Sequence, residues 1–417
     1  MVWAKKRKTD EEIVISPASV DVGIDSTLPS NKVVWSTGRN VRFTPGYVSK
    51  TLGQSLLGTL AIASLPIRAM FTFMGYDGNM YTIICCDAHV YVANGVFDTF
   101  LDITPTAAPT SGADDHWKFD IVAGLPILTN GKDATWQWTA YSAILTALSN
   151  APLAKNISSC MHRLVSSNLY DGGYYYPGRV KWTETGNPTN STVDTTKKAG
   201  RFDLINYETG KDAQHNILAQ ITDGSKTYFF TERNLWGCDF AQGIKQFYVT
   251  EPDFEILSAQ SACIHNGIIY AAAKDSFYRI VNGKKQELKR DIRSEFIANR
   301  HEDALNSAFC FDMVKTNEIW FCVSTGTEIT PDTAYIYNWE LDNWTVQDCN
   351  FLCHSSMYPP PLADWENSSH AAVGWTGGGG VNVNWMANIS ALYNTISRDV
   401  VGNLVSQILQ MDDGYNF

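Results

Sequence analysis

Residues 76–100 read YDGNMYTIICCDAHVYVANGVFDTF. Two short apolar runs, MYTIICC and AHVYVANG, are bracketed by the dipeptides Asp77-Gly78 and Asn94-Gly95. Asp-Gly and Asn-Gly are hairpin-turn pairs, because the tight turn needs positive φ at both central positions. The stretch therefore predicts short antiparallel strands joined by tight turns and ending on aromatic side chains.

The same design recurs along the chain. It returns, less regularly, in WKFDIVAGLPILTNGKDATWQW at 117–138, with a turn at Asn130-Gly131. AQITDGSKTYFFTERNLWGCD follows at 219–239, around Asp223-Gly224. SACIHNGIIYAAAKDSFYRIVNGKKQEL at 261–288 has turns at Asn266-Gly267 and Asn282-Gly283. SAFCFDMVKTNEIWFCVS and TAYIYNWELDNWTVQ form a longer hairpin closing on Trp339 and Trp344. The units repeat about every 45–60 residues, the signature of a β-propeller built from small antiparallel blades. One blade alone buries too little surface to be stable, whereas a closed ring covers the faces and removes free edges. The expected fold is an all-β propeller of short antiparallel blades with an N-terminal arm and loop-rich insertions. A β-sandwich array is the rival.

Three parts are expected: an arm and entry strand over 1–55, the propeller over 56–355, and a linker with a contact or closing segment over 356–417. Residues 171–204, rich in Thr, Asn and Gly, read as a long surface excursion. Residues 359–385, with three prolines and four consecutive glycines, read as a linker or extended contact loop. A short helix is expected within 293–309, and a helix or strand pair within 391–411, split by Gly402.

The totals narrow the function. With 417 residues the chain can bury a large core, and aromatics at 12% suit pleated, half-buried surfaces. A formal net charge of −11 argues against a general nucleic-acid binder, which needs cations to displace phosphate counterions. It is compatible with a wall that DNA slides past. No apolar run reaches the length of a spanning helix, and the basic cluster Lys5–Lys8 is followed by acidic residues, unlike a secretory signal. Nine cysteines without framework spacing suggest reduced thiols and folding in a cytoplasm. The five Asn-x-Ser/Thr sequons then read as chance occurrences.

The chain carries no recognisable catalytic or metal-binding motif. There is no Gly-x-Ser-x-Gly elbow, no phosphate loop and no paired-histidine metal motif among eight scattered histidines. Cys349, Cys353 and His354 lack the further ligands of a structural zinc. Asp114-Asp115-His116 reads as a polar turn rather than a metal site. Gly131-Lys-Asp133-Ala-Thr-Trp136 only partly matches the Asp-box turn of glycosidase propellers, and arginines are sparse and not placed on strands as their Arg triad requires. No catalytic, cofactor or metal residue is assigned.

One stretch stands apart: WSTGRNVRFTPG, residues 35–46. Arg39 and Arg42 beside Phe43 could grip an anion, but nothing downstream supplies the rest of such a site. The better reading is a structural staple: Asn40 and Arg42 tie the strand to neighbouring backbone, while Trp35 and Phe43 pack on the propeller. The pattern Trp35-x-x-Gly-x-Asn40-Val-Arg42-Phe43-x-x-Gly46 resembles an N-terminal signature of tail proteins from short-tailed bacteriophages. Later segments are similar to that family in the same order. They are His162–Val165; Arg179–Trp182 with Gly186-Asn-Pro188; Thr227–Trp236; Ile268–Tyr270 with Phe277-Tyr278; and Tyr335–Tyr337 with Trp344.

The family is described as a tail nozzle, hub or packaged-DNA stabilisation protein. The resemblance implies a non-enzymatic virion protein: a homo-hexameric ring below the portal and adaptor. The ring would meet a tailspike or tail fibre and a tail needle or plug. DNA would pass through its lumen without sequence recognition. It implies synthesis in the host cytoplasm and residence in the virion tail. The alternatives are a carbohydrate- or protein-binding propeller, such as a receptor-binding tail module, and, further off, a propeller glycosidase.

Overall fold

The computed structural model describes residues 34–411, apart from 45–46, 51–52, 61–65, 95–98, 194–197, 205–214, 290–291, 350–351, 357–367, 378–379, 388–393, 400–406 and the single residues 76 and 113. Side chains are described within 39–43 and 66–353.

The chain is a β-propeller. Six blades follow one another, each an antiparallel four-stranded meander: blade 1 (67–102), blade 2 (118–147), blade 3 (153–203), blade 4 (217–251), blade 5 (262–287) and blade 6 (309–348). A further four-stranded sheet mixes distant parts of the chain. Its strands Cys353–Ser356, Ser368–Gly377 and Gly380–Ala387 are completed by Gly53–Leu60, which pairs antiparallel with Gly380–Ala387. Strand Gly53–Leu60 thus crosses the expected boundary at 55/56. The first strands of blades 1, 2, 4, 5 and 6, together with Cys353, surround a central cavity of about 400 Å3.

Turn chemistry sets much of the register. Asn266-Gly267 (φ 49° and 74°) joins His265 to Ile268, and Asn282-Gly283 (φ 52° and 78°) joins Val281 to Lys284. Both are two-residue turns with positive φ at each position, the geometry whose twist matches that of the flanking strands. Ala123-Gly124 and Met161-His162 make the same kind of turn without the expected dipeptide.

Each blade is buried on both faces, so its strands alternate between two apolar surfaces rather than between core and water. In blade 6, Cys310, Ile319, Phe321, Tyr335 and Trp344 face the blade 5 core. Phe309, Phe311, Trp320, Cys322 and Ile336, from the same strands, form a second cluster on the other side. Similar clusters fill the spaces between blades 1 and 2, 2 and 3, 3 and 4, and 4 and 5.

Two expectations need amending. Residues 171–204 are not a surface excursion throughout: Tyr174–Trp182 and Gly200–Asp203 are the third and fourth strands of blade 3. The expected linker at 359–385 contains strands of the closing sheet. The segment 391–411 contains the strand pair Asn394–Asp399 and Gln407–Met411, one of the two forms expected. The helix expected within 293–309 is Arg293–Asn299, followed by a 3-10 turn over Glu302–Ser307.

Candidate functional site

The residues singled out in the sequence form a clasp on blade 6. Strand Val34–Arg39 pairs in parallel with Asn343–Asp348 at Arg39↔Val346, and antiparallel with Asn394–Asp399. Asn40 then turns the chain with φ 60°, a left-handed conformation that Asn tolerates better than most residues. Its backbone N–H donates to Val346 O (2.8 Å). Its side chain donates to Asp348 Oδ2 (2.7 Å) and accepts from the Asp348 N–H (2.8 Å). Arg39 reaches the other oxygen of Asp348, and also donates to Thr333 Oγ1 (3.0 Å).

Arg42 crosses to Glu318, with Nη2 donating to Oε2 at 2.9 Å and Nε standing 2.8 Å from Oε1. The two side chains are 13% and 5% exposed, so this pair lies largely out of water. Glu318 Oε2 also accepts from Trp320 Nε1 (3.0 Å) and Thr316 Oγ1 (2.8 Å), which satisfies the buried carboxylate. Phe43 and Val41 are buried in the cluster between blades 5 and 6. The guanidinium groups are thus engaged within the chain, not turned toward a ligand. The side chain of Trp35, and Gly46 altogether, lie outside the described residues.

Lys118 lines the central cavity, and its ammonium donates to Ala259 O at 2.6 Å. Burial pulls it down to about 8, because a low-dielectric site disfavours the charged form. Cys263 and Cys310 line the same cavity from neighbouring blades, with their sulfurs 3.1 Å apart. Among the described residues no disulfide is formed.

A second cavity, about 340 Å3, lies between blades 1 and 2. Phe73, Tyr81, Trp138 and Tyr141 supply aromatic walls, with Tyr81 edge-on to Trp138 (5.4 Å) and stacked on Tyr141 (5.1 Å). Asp77 stands at its rim and accepts from Tyr81 Oη, a bond that holds the carboxyl below its usual range. Sequence reading missed this site, since its walls come from two hairpins about fifty residues apart.

Asp133 is a structural turn residue, accepting from Thr110 N (2.8 Å), Thr110 Oγ1 (2.7 Å) and Asn130 Nδ2 (2.6 Å). Asp114, Asp115 and His116 form no metal cluster; among the described residues no group of three or more His, Cys, Asp or Glu is placed to hold a metal. They instead line a third cavity.

No family model matches this chain, and no curated protein does. Solved structures similar to it include the WD40 domain of Neurospora crassa Pan2 (8% identity, TM-score 0.48, 82% of this chain and 98% of that one). Another is the CNH domain of AfRom2 (7% identity, TM-score 0.44, 80% of this chain and 98% of that one). Neither likeness carries a function across.

Proposed function

We propose that the chain is a non-catalytic structural subunit of a short bacteriophage tail. It would be a nozzle or hub protein that assembles as a homo-hexameric ring against the adaptor, retains the packaged DNA and conducts it at ejection. The observation that carries this reading is the clasp. The residues through which the sequence resembles that family, Asn40, Arg42 and Phe43, are the ones bound into blade 6. A signature used for scaffolding suits a part that must hold its shape under load. Exposed apolar side chains on the outer strands of blades 3 and 4, Phe202, Tyr248 and Val249, offer surface for neighbouring subunits.

The test is co-expression with the adaptor protein of the same genome, followed by negative-stain imaging and light scattering. A six-fold ring seated on the adaptor is expected. A chain that stays monomeric beside assembled adaptor, or is missing from purified virions, would refute the proposal.

The cavity between blades 1 and 2 favours a second reading, a receptor-binding propeller module. Aromatic walls with a carboxylate at the rim suit a sugar face or an apolar side chain. Saturable glycan binding lost in Trp138→Ala would favour this reading over the first.

A further inference from the structure

The central cavity, with its 400 Å3, falls within the range of small-molecule sites, roughly 300–1,000 Å3. Apolar side chains make much of its wall. Met70 and Phe71 come from blade 1, Phe119 from blade 2, Ile221 from blade 4 and Phe309 from blade 6. Phe71 and Phe119 stack across the seam between their blades, with ring centroids 5.1 Å apart.

Lys118 stands among them. It opens the first strand of blade 2, between Trp117 and Phe119, which pack into the cluster between blades 1 and 2. Strand alternation sends the lysine to the other side. Its ammonium reaches the segment ahead of blade 5, where it donates to Ala259 O. An ammonium carries three N–H groups. The remaining ones have no hydrogen-bond partner among the described residues, and no carboxylate there pairs with the charge. Lys118 keeps accessible surface and lies on the cavity wall, so a guest can touch it. Burial still lowers it to about 8, as expected of surface that faces an enclosed space and not bulk water.

A buried charge is normally paired. The polar neighbours on the wall do not take that part. Gln220 is engaged elsewhere: its Nε2 donates to Ser158 Oγ (2.9 Å) and Val165 O (2.8 Å), and its Oε1 accepts from Ser167 Oγ. The Thr72 hydroxyl bonds that of Thr82 (2.8 Å). Burial holds the Cys310 thiol well above its usual range, so that sulfur is neutral and is not a counter-ion. One uncompensated positive charge thus faces a space of ligand size with hydrocarbon around it. A dianion would leave a negative charge unpaired in the same poorly solvated place. A neutral guest would leave the ammonium as it is.

We infer that the central cavity binds a monocarboxylate with an apolar body, an aromatic or branched aliphatic acid. Its carboxylate accepts from the Lys118 ammonium, and its hydrocarbon lies against the apolar wall that includes Phe71 and Phe119.

The test uses the full chain in chloride-free buffer near neutral pH, where the ammonium is charged. Sodium benzoate, sodium 3-methylbutanoate, benzamide, inorganic phosphate and potassium chloride serve as separate probes in calorimetry. Saturable binding of either acid is expected, with benzamide weaker by about tenfold or more, as loss of a hydrogen bond to a charged group requires. Either acid supports the inference, and the preference between them tells aromatic from branched guests. Lys118→Met should weaken binding of the acid by about tenfold or more. If that variant does not fold, reductive methylation of the parent with formaldehyde and dimethylamine–borane supplies the readout. Peptide mass spectrometry should show Lys118 methylated in the free chain and protected by the acid. Benzamide, phosphate or chloride bound as tightly as the acids would overturn the inference. So would undiminished binding by Lys118→Met, a Lys118 that the acid does not protect, or no saturation by any probe. The last result would mean that water compensates the ammonium.

Discussion

Arg42 and Glu318, 276 positions apart in sequence, form a two-point ion pair in the largely buried seam where the clasp meets blade 6. Removing one partner of such a pair leaves a charge in a poorly solvated place. Arg42→Met is therefore expected to lower stability by about 3 kcal/mol, near the lower end for this class because Trp320 and Thr316 still serve Glu318. Arg42→Met/Glu318→Gln should recover part of the loss. Denaturant unfolding of the single and double variants measures the coupling; a single variant as stable and as well assembled as the parent would exclude the clasp as a structural element.

Asn40 separates backbone strain from hydrogen bonding. Both Asn40→Gly and Asn40→Ala lose the two side-chain bonds to Asp348. Only Ala must also hold a left-handed φ with a Cβ, which costs about 1 kcal/mol more. Melting temperatures should fall in the order parent, Gly, Ala. An Ala variant equal to Gly would show that the turn relaxes.

Phe277 is the hub of an aromatic cluster, with ring centroids 4.6 Å from Phe296, 4.7 Å from Phe321 and 5.1 Å from Trp344. Phe277→Ala is expected to cost about 3–5 kcal/mol, and Phe277→Leu, which keeps most of the volume, about 1.5 kcal/mol or less. Thermal unfolding decides between this packed core and a loose one, for which both variants would differ little from the parent.

Lys118 gives a pH signature. Burial lowers its folded value to about 8, below the ordinary 10.5. Between these values the unfolded chain binds more protons than the folded one, so the Lys118 contribution to stability rises with pH across that window. Below pH 8 the ammonium is charged in both states and its burial opposes folding in full. The stability of the parent relative to Lys118→Met should therefore increase from pH 8 to 10. A flat difference would place the ammonium in bulk-like water.

The propeller was legible because its signal is local and repeated. Asn266-Gly267 and Asn282-Gly283 state the hairpins outright, and alternating apolar residues such as Phe309 and Phe311 mark the strands. Ala123-Gly124 and Met161-His162 carry no such dipeptide signal, because surrounding strands impose the turn. The third strand of blade 3 was hidden since Tyr174 and Tyr175 are exposed at a hairpin tip, and the segment reads as surface. The staple role of Asn40 and Arg42 could be argued from the absence of a site around them, but their partners Asp348 and Glu318 could not be found. Pairing across such a separation leaves no periodic trace.

The closing sheet also orders events during synthesis. Strand Gly53–Leu60 leaves the ribosome long before its partner Gly380–Ala387. While the blades between them are made, that early strand has a bare edge, and the ring is an open arc. Contacts so distant in sequence are slow to form, and exposed edges invite pairing with other chains. The nascent protein is therefore most vulnerable to aggregation until Gly380–Ala387 emerges, and shielding of the 53–60 edge by a chaperone would act before that point.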